Sequence, residues 1–136
     1  MTTGSPPDDI DFEIDFYERI IKDRGDFLQA LIMLGELYTK KGLYEKGLEV
    51  DKKLVSLRPE DPYILYNLAC SYSLLCDIEK ALGAIKLAVH CGYQDFSHLE
   101  IDKDLANLRA DNRFQQYFVQ VKGTLPGSSR YERGKS

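Results

Sequence analysis

Apolar side chains recur every three or four residues from about residue 10 to residue 122, and Gly, Pro and Asp interrupt the pattern at regular points. In the first segment Phe12, Phe16 and Ile20 follow this spacing, which places them on one face of a helix. No alternating apolar–polar run long enough for a strand occurs. The pattern therefore predicts an all-α fold.

Helix-ending residues divide the chain into five antiparallel helices between about residues 10 and 91. Gly42 and Gly92 follow two of them, and Pro59 follows a third, as is usual just past a helix end. Asp61 precedes Pro62, a pair that favours an N-cap and a first helical position. The predicted later helices are about 27–39, 44–57, 62–75 and 77–90, followed by shorter helices at about 96–101, 102–108 and 111–121.

The sequence repeats itself with a period of 34 residues. A shift of that length places Leu31, Leu34, Gly35 and Tyr38 on Leu65, Leu68, Ala69 and Tyr72. It also places Gly47 on Ala81 and Leu54 on Ala88. A helix–turn–helix unit repeated at this period is typical of repeat architectures in which neighbouring units share a core.

These positions resemble the tetratricopeptide repeat (TPR) family, and the segment Asp102-Lys103-Asp104-Leu105 is similar to the closing segment of some bacterial TPR arrays. The resemblance implies a right-handed superhelical solenoid of TPR-like repeats with helical caps. It implies a half-repeat at 10–26, repeat one at 28–61, repeat two at 62–95 and a C-terminal cap at 96–122, within a domain spanning 10–122. The tails, 1–9 and 123–136, are rich in Gly, Pro and Ser and are predicted to be disordered.

Two positions depart from the TPR pattern. Gly47 lies inside a predicted helix where Ala is usual, at a cost of about 1 kcal/mol. Asp51 occupies a site where an aromatic side chain normally packs, and a buried carboxylate without a donor is costly. We expect its carboxylate to meet a Tyr, Lys or backbone donor. The expected buried core is Leu31, Leu34, Leu65, Leu68, Tyr72, Ala81, Ile85 and Ala88.

The resemblance implies that the first helix of each repeat lines a concave groove. Mapped onto this chain, the candidate partner-binding residues are Gln29, Ile32, Met33, Glu36, Tyr63, Tyr66, Asn67 and Cys70, with Lys40 and Ser73 beside them. Ile32, Met33, Tyr63 and Tyr66 are expected to form a partly exposed apolar strip, because Tyr and Met are common in contact surfaces. The alternative is that these residues pack against the chain's own cap or tails.

The best-known TPR groove grips a peptide's terminal carboxylate with Lys and Asn side chains. Of the five positions that form this clamp, Asn67 alone carries a matching residue here. Ile32, Glu36, Ser97 and Ile101 occupy the others. A clamp without cations cannot hold a carboxylate, so the sequence argues against that mode of binding.

Charge and cysteine usage narrow the function classes. The net charge of −4 argues against nucleic acid as a partner, because phosphates require a basic surface. No apolar run approaches the length of about 20 residues that spans a bilayer, and the N-terminus has no secretory pattern. The odd count of three Cys indicates free thiols in a reducing compartment, so the cytoplasm is expected.

The pattern predicts neither a metal or cofactor site nor an enzyme. The spacing of His90, Cys91 and His98 relative to Cys70 and Cys76 matches no zinc motif. No phosphate-binding glycine loop or nucleophile elbow occurs. The interpretation is a module that binds another protein or peptide segment in the groove. The alternative is a self-assembling unit that forms a homodimer through the groove or an open repeat edge.

Overall fold

The computed structural model describes residues 6–124, and these form eight α-helices and one 3₁₀ turn with no strand among them. The helices are α1 (Pro6–Asp23), α2 (Leu28–Lys41), α3 (Tyr44–Leu57), α4 (Pro62–Leu74), α5 (Ile78–His90), α6 (Phe96–Ile101), α7 (Ala106–Arg109) and α8 (Asn112–Thr124), with the 3₁₀ turn at Lys103–Leu105. The all-α prediction is confirmed, and the predicted helix bounds from α2 onward agree within a few residues.

Each of the first four helices packs against the next one along the chain. The pair α2 and α3 falls within the predicted repeat one, and the pair α4 and α5 falls within repeat two. The buried side chains form one cluster centred on α1–α3 and a second that joins α4, α5 and the C-terminal segment. The repeat and domain boundaries themselves stay predictions.

Local sequence explains where the helices begin and end. The Asp61 side chain accepts hydrogen bonds from the backbone N–H groups of Tyr63 and Ile64, so it caps α4. Asp77 accepts from the backbone N–H of Lys80 and caps α5 in the same way. These two caps fix the starts of both helices of repeat two.

The first and last helices extend beyond the predicted domain. Helix α1 begins at Pro6, so residues 6–9 are helical where a disordered tail was predicted. Proline is tolerated in a first turn, because its missing N–H has no intrahelical partner there in any case. At the other end, α8 continues to Thr124 rather than ending near 121. The remaining residues of the predicted tails, 1–5 and 125–136, lie outside the described residues.

Six of the eight predicted core residues are buried: Leu31, Leu34, Leu65, Ala81, Ile85 and Ala88. Leu68 and Tyr72 are only half-buried and pack against the edge of the second cluster. The described chain also buries residues that the repeat did not predict, among them Tyr93, Leu99, Leu105, Leu108 and Phe114. Tyr93 lies between α5 and α6, and the other four belong to the C-terminal cap, which therefore shares the core of repeat two.

The C-terminal cap (residues 96–122) is fastened to α4 by polar contacts as well as apolar ones. The backbone N–H of Leu108 donates to the Ser73 hydroxyl at 3.1 Å, and the Asn107 amide donates to the Ser73 carbonyl at 2.9 Å. Because Ser73 is fully buried, these two bonds satisfy groups that water cannot reach. Within the cap itself, Arg109 donates to the carbonyls of Leu99 and Asp102.

Alanine at position 47 should raise the free energy of unfolding by about 0.5–1 kcal/mol, because glycine inside a helix is entropically unfavourable. A Cβ at Gly47 would lie 3.4 Å from Thr39 Oγ1 and 3.8 Å from Tyr38 Cβ, which is ordinary contact. The equivalent position in repeat two is Ala81, which is fully buried. Urea unfolding of the variant would measure the gain.

Gly42→Ala is the matched control, because it makes the same chemical change at a helix end. Gly42 has a φ of +85°, in the left-handed region where a Cβ is strained, although no atom lies within 4 Å of that Cβ. This variant should lose about 1–2 kcal/mol. Equal effects of the two substitutions would contradict the assignment of their backbone environments.

Candidate functional site

A cavity of about 500 Å³ opens between α2, α4 and the C-terminal cap, with part of α3 at its base. Five of the eight candidate residues line it: Ile32, Glu36, Tyr66, Asn67 and Cys70. The other three, Gln29, Met33 and Tyr63, do not. We call this cavity the groove.

Tyr66 is not part of an exposed apolar strip. Its ring is 5% exposed and stacks on Tyr93 at a centroid distance of 4.4 Å and an interplanar angle of 10°. Tyr63 is 63% exposed and meets Tyr93 edge-on at 5.7 Å. The expectation of a partly exposed strip is therefore wrong for Tyr66. The loop between α5 and α6 brings Tyr93 back onto α4, and this return is not visible in the repeat pattern.

Of the other strip residues, Ile32 and Met33 are half-buried, as expected. Cys70 is buried. Gln29, Glu36 and Asn67 are exposed. The side chain of Asn67 makes no hydrogen bond with residues 6–124 and lies on the groove wall, so its amide is available to a bound molecule.

Asp102, at the start of the 3₁₀ turn, organises the cap side of the groove. The Tyr66 hydroxyl donates to Asp102 Oδ2 at 2.7 Å, and the Cys70 thiol donates to the same oxygen at 3.8 Å. His98 Nε2 lies 3.2 Å from it, and the backbone N–H of Asp104 donates to Oδ1 at 3.0 Å. The sequence pattern places Asp102 in the C-terminal cap but predicts no role for it in the groove.

Burial raises the pKa values of two groove side chains. The pKa of the Tyr66 hydroxyl and that of the Cys70 thiol both lie above their ordinary values, with desolvation the largest cause in each case. For Cys70 the next causes are the charges of Asp102, Asp104 and Asp51. Cys70 therefore stays a neutral thiol and is not a reactive nucleophile.

Asp51 lies at the base of the groove and is 6% exposed. The Ser71 hydroxyl donates to its Oδ2. Asp51 is thus buried and paired, but the expectation of a Tyr, Lys or backbone donor is wrong. The second repeat supplies a serine from α4, which sequence alone could not place opposite α3. Burial raises the pKa of Asp51 to about 6, and the Ser71 hydrogen bond lowers it in part.

The base of the groove is acidic, whereas its rim also carries exposed lysines. Asp51, Asp102 and Asp104 are buried or half-buried, and all three act on the Cys70 thiol. Lys40 and Lys103, which also line the cavity, are exposed. Because exposed charges are screened by water and salt, the buried carboxylates dominate the electrostatic potential at the base of the groove.

Comparison with known proteins finds similarity both in sequence and in structure. No protein-family model matches the chain. The chain is 34% identical over 105 residues to a chloroplastic protein of Arabidopsis thaliana. That match covers 75% of this chain but 31% of the relative, so the chain spans about a third of the relative's length.

The structure is similar to MamA MSR-1 C2, a TPR-containing protein, with a TM-score of 0.57 over 79% of this chain and 68% of that one. The two sequences are 17% identical over this match, so the likeness is one of fold. The chain has a TPR-like fold. The predicted fold class, an all-α solenoid of TPR-like helical repeats, is confirmed.

Within residues 6–124 no group of three or more His, Cys, Asp or Glu side chains is arranged to hold a metal ion. In the same part of the chain, no helix combines the length and the apolar character that crossing a membrane requires. What the TPR-like groove offers a ligand is a partly buried polar channel with carboxylates at its base.

Proposed function

We propose that this TPR-like chain binds a peptide segment of a partner protein in the groove between α2, α4 and the C-terminal cap. The observation that carries this proposal is the cavity of about 500 Å³ lined by polar groups of which Asn67 has no partner within the described chain. Asn67 can donate to and accept from a peptide backbone, and the wall beside it includes Ile32 for an apolar contact. A groove of two repeats is short, so we expect affinities near micromolar.

The test begins with selection of random 12-residue peptides on the immobilised full-length chain. Selected peptides are then titrated by fluorescence anisotropy against the wild type and two variants. Asn67→Ala should weaken binding about tenfold, equivalent to about 1.4 kcal/mol. Gln116→Ala changes an exposed amide on α8 outside the groove and should leave affinity unchanged. Equal affinities for all three proteins would mean that the groove is not the binding site.

A homodimer is the second candidate. Phe12 and Phe16 on α1 are 73% and 51% exposed and lie one helical turn apart. Such side chains on the first helix of a repeat array resemble an uncovered repeat edge. Light scattering over a range of protein concentrations would detect the dimer. The double substitution Phe12→Ser/Phe16→Ser should dissociate it into monomers.

We propose neither nucleic acid nor a membrane as a partner of this chain. We also propose no cofactor and no enzymatic activity. The cytoplasm remains the proposed location, supported by the free thiols of Cys70, Cys76 and Cys91. The relative's name assigns that protein to the chloroplast, which makes the chloroplast the alternative location for this chain. Fluorescence imaging of a fusion in the source cell distinguishes the two.

A further inference from the structure

The base of the groove contains a buried carboxylate with unused hydrogen-bonding capacity. Asp51 is 6% exposed and accepts one hydrogen bond, from Ser71 to Oδ2. A carboxylate has about four acceptor positions on its two oxygens. No donor reaches Oδ1 within residues 6–124, so a buried, charged acceptor faces the cavity without a full set of partners.

Asp102 provides the comparison within the same cavity. It interacts with Tyr66, Cys70, His98 and the backbone of Asp104, which occupies both of its oxygens. Its role is to hold the cap against α4. Asp51 has no equivalent set of donors, although it is the more deeply buried of the two carboxylates. The free capacity in the groove therefore lies at Asp51.

Gly35 packs beside the second carboxylate oxygen of Asp51, Oδ1, and places no side chain over it. A Cβ placed on Gly35 would lie 3.5 Å from Asp51 Oδ1, and Gly35 itself lines the cavity. Because glycine has no side chain, this volume remains open between α2 and the carboxylate. Ile32 and Leu54 line the same cavity and provide apolar surface along the way to the base.

We propose that the groove recognises a lysine or arginine side chain of the bound peptide, whose cation donates hydrogen bonds to Asp51. This inference rests on the proposed function, since it names the chemistry of the segment that the groove takes. The long methylene stem of Lys or Arg can pack on the apolar wall of the cavity while its cation reaches the carboxylate at the base. The nearby Asp102 and Asp104 disfavour an acidic side chain at the same place.

The energetics favour a cation because the fold has already removed Asp51 from water. A ligand that pairs with it need not desolvate a hydrated carboxylate, so a larger share of the attraction appears as affinity. The raised pKa of Asp51 is a sign of the same desolvation. Hydrogen bonds between charged groups are also stronger than neutral ones.

The experiment uses two peptide libraries of the same length, one random and one lacking Lys, Arg and His, both selected on the full-length chain. Peptides from the random library should carry Lys or Arg at one fixed position. Replacing that residue by norleucine or citrulline should weaken binding about tenfold or more. On Asp51→Asn the charged and neutral peptides should bind equally, because the variant removes the charge that distinguishes them.

Glu60→Gln is the matched control, since it removes one negative charge from an exposed side chain outside the groove. It should preserve the preference for the charged peptide. If both libraries give peptides that lose affinity on Asn67→Ala but show no charge preference, the cation inference is wrong and the peptide-binding function stands. If neither library gives a peptide sensitive to Asn67→Ala, both proposals are wrong.

The chain's own residues 125–136 contain Arg130, Arg133 and Lys135 and are an alternative source of the cation. Replacing all three by Gln should not change the affinity for the selected peptides. Tighter binding by this variant would show that the tail competes for the groove. That result would overturn a partner peptide as the occupant.

Discussion

Replacing Tyr93 with alanine should lower the free energy of unfolding by about 3–5 kcal/mol, the range for removing a large buried aromatic side chain. Tyr93 is 2% exposed and its ring contacts Tyr63, Tyr66 and Phe96. It therefore joins α4 to the C-terminal cap. Its loss leaves a cavity at the junction and removes the surface against which Tyr66 stacks.

Chemical denaturation followed by circular dichroism measures this loss. Tyr63→Ala is the matched control, because it removes the same side chain at a position that is 63% exposed and should cost less than about 1 kcal/mol. Tyr66 cannot be used to test binding alone, because its ring packs in the same junction between α4 and the cap and its removal would also lower stability. A Tyr93→Ala variant as stable as Tyr63→Ala would contradict the packing of the cap.

Asparagine at position 51 should stabilise the chain at neutral pH and leave it unchanged near pH 4. Burial raises the pKa of Asp51 from 3.8 to about 6 in the folded chain. Between these values the native state binds more protons than the unfolded state, so the free energy of unfolding falls as pH rises. The full loss above pH 6 is at most about 3 kcal/mol, from 1.36 kcal/mol per pKa unit.

The measurement is the difference in unfolding free energy between Asp51→Asn and the wild type at intervals from pH 4 to pH 8. Taking the difference removes the contribution of the titratable groups that both proteins share. The variant should gain about 1–3 kcal/mol over this interval. A difference that stays constant with pH would mean that Asp51 is not titrating in a buried site.

Together with the peptide experiments, this prediction links stability to binding. A substitution that stabilises the fold should at the same time abolish the preference for a cationic peptide. Such opposition is common where a polar group serves a binding site at the expense of stability. Asp51→Asn is therefore the most informative single variant of this chain.

The sequence determined the parts of the structure that depend on neighbouring residues. Apolar spacing and caps such as Asp61 and Asp77 act within a few residues, so helices α2 to α5 agree with prediction within a few residues. The 34-residue period also predicted the TPR-like solenoid, because each unit must bury its apolar face against the next. The polar first-helix positions Glu36 and Asn67 were placed in the groove by the same register.

Tertiary structure alone decided how the C-terminal cap closes onto repeat two. The contacts of Tyr66 with Tyr93 and Asp102 join residues 27 and 36 positions apart, and no local pattern specifies them. The serine that pairs with Asp51 comes from a different repeat, 20 residues away. Burial and hydrogen-bond partners depend on which elements meet in space, so the exposure of Tyr66 and the donor to Asp51 could not be obtained from helical periodicity.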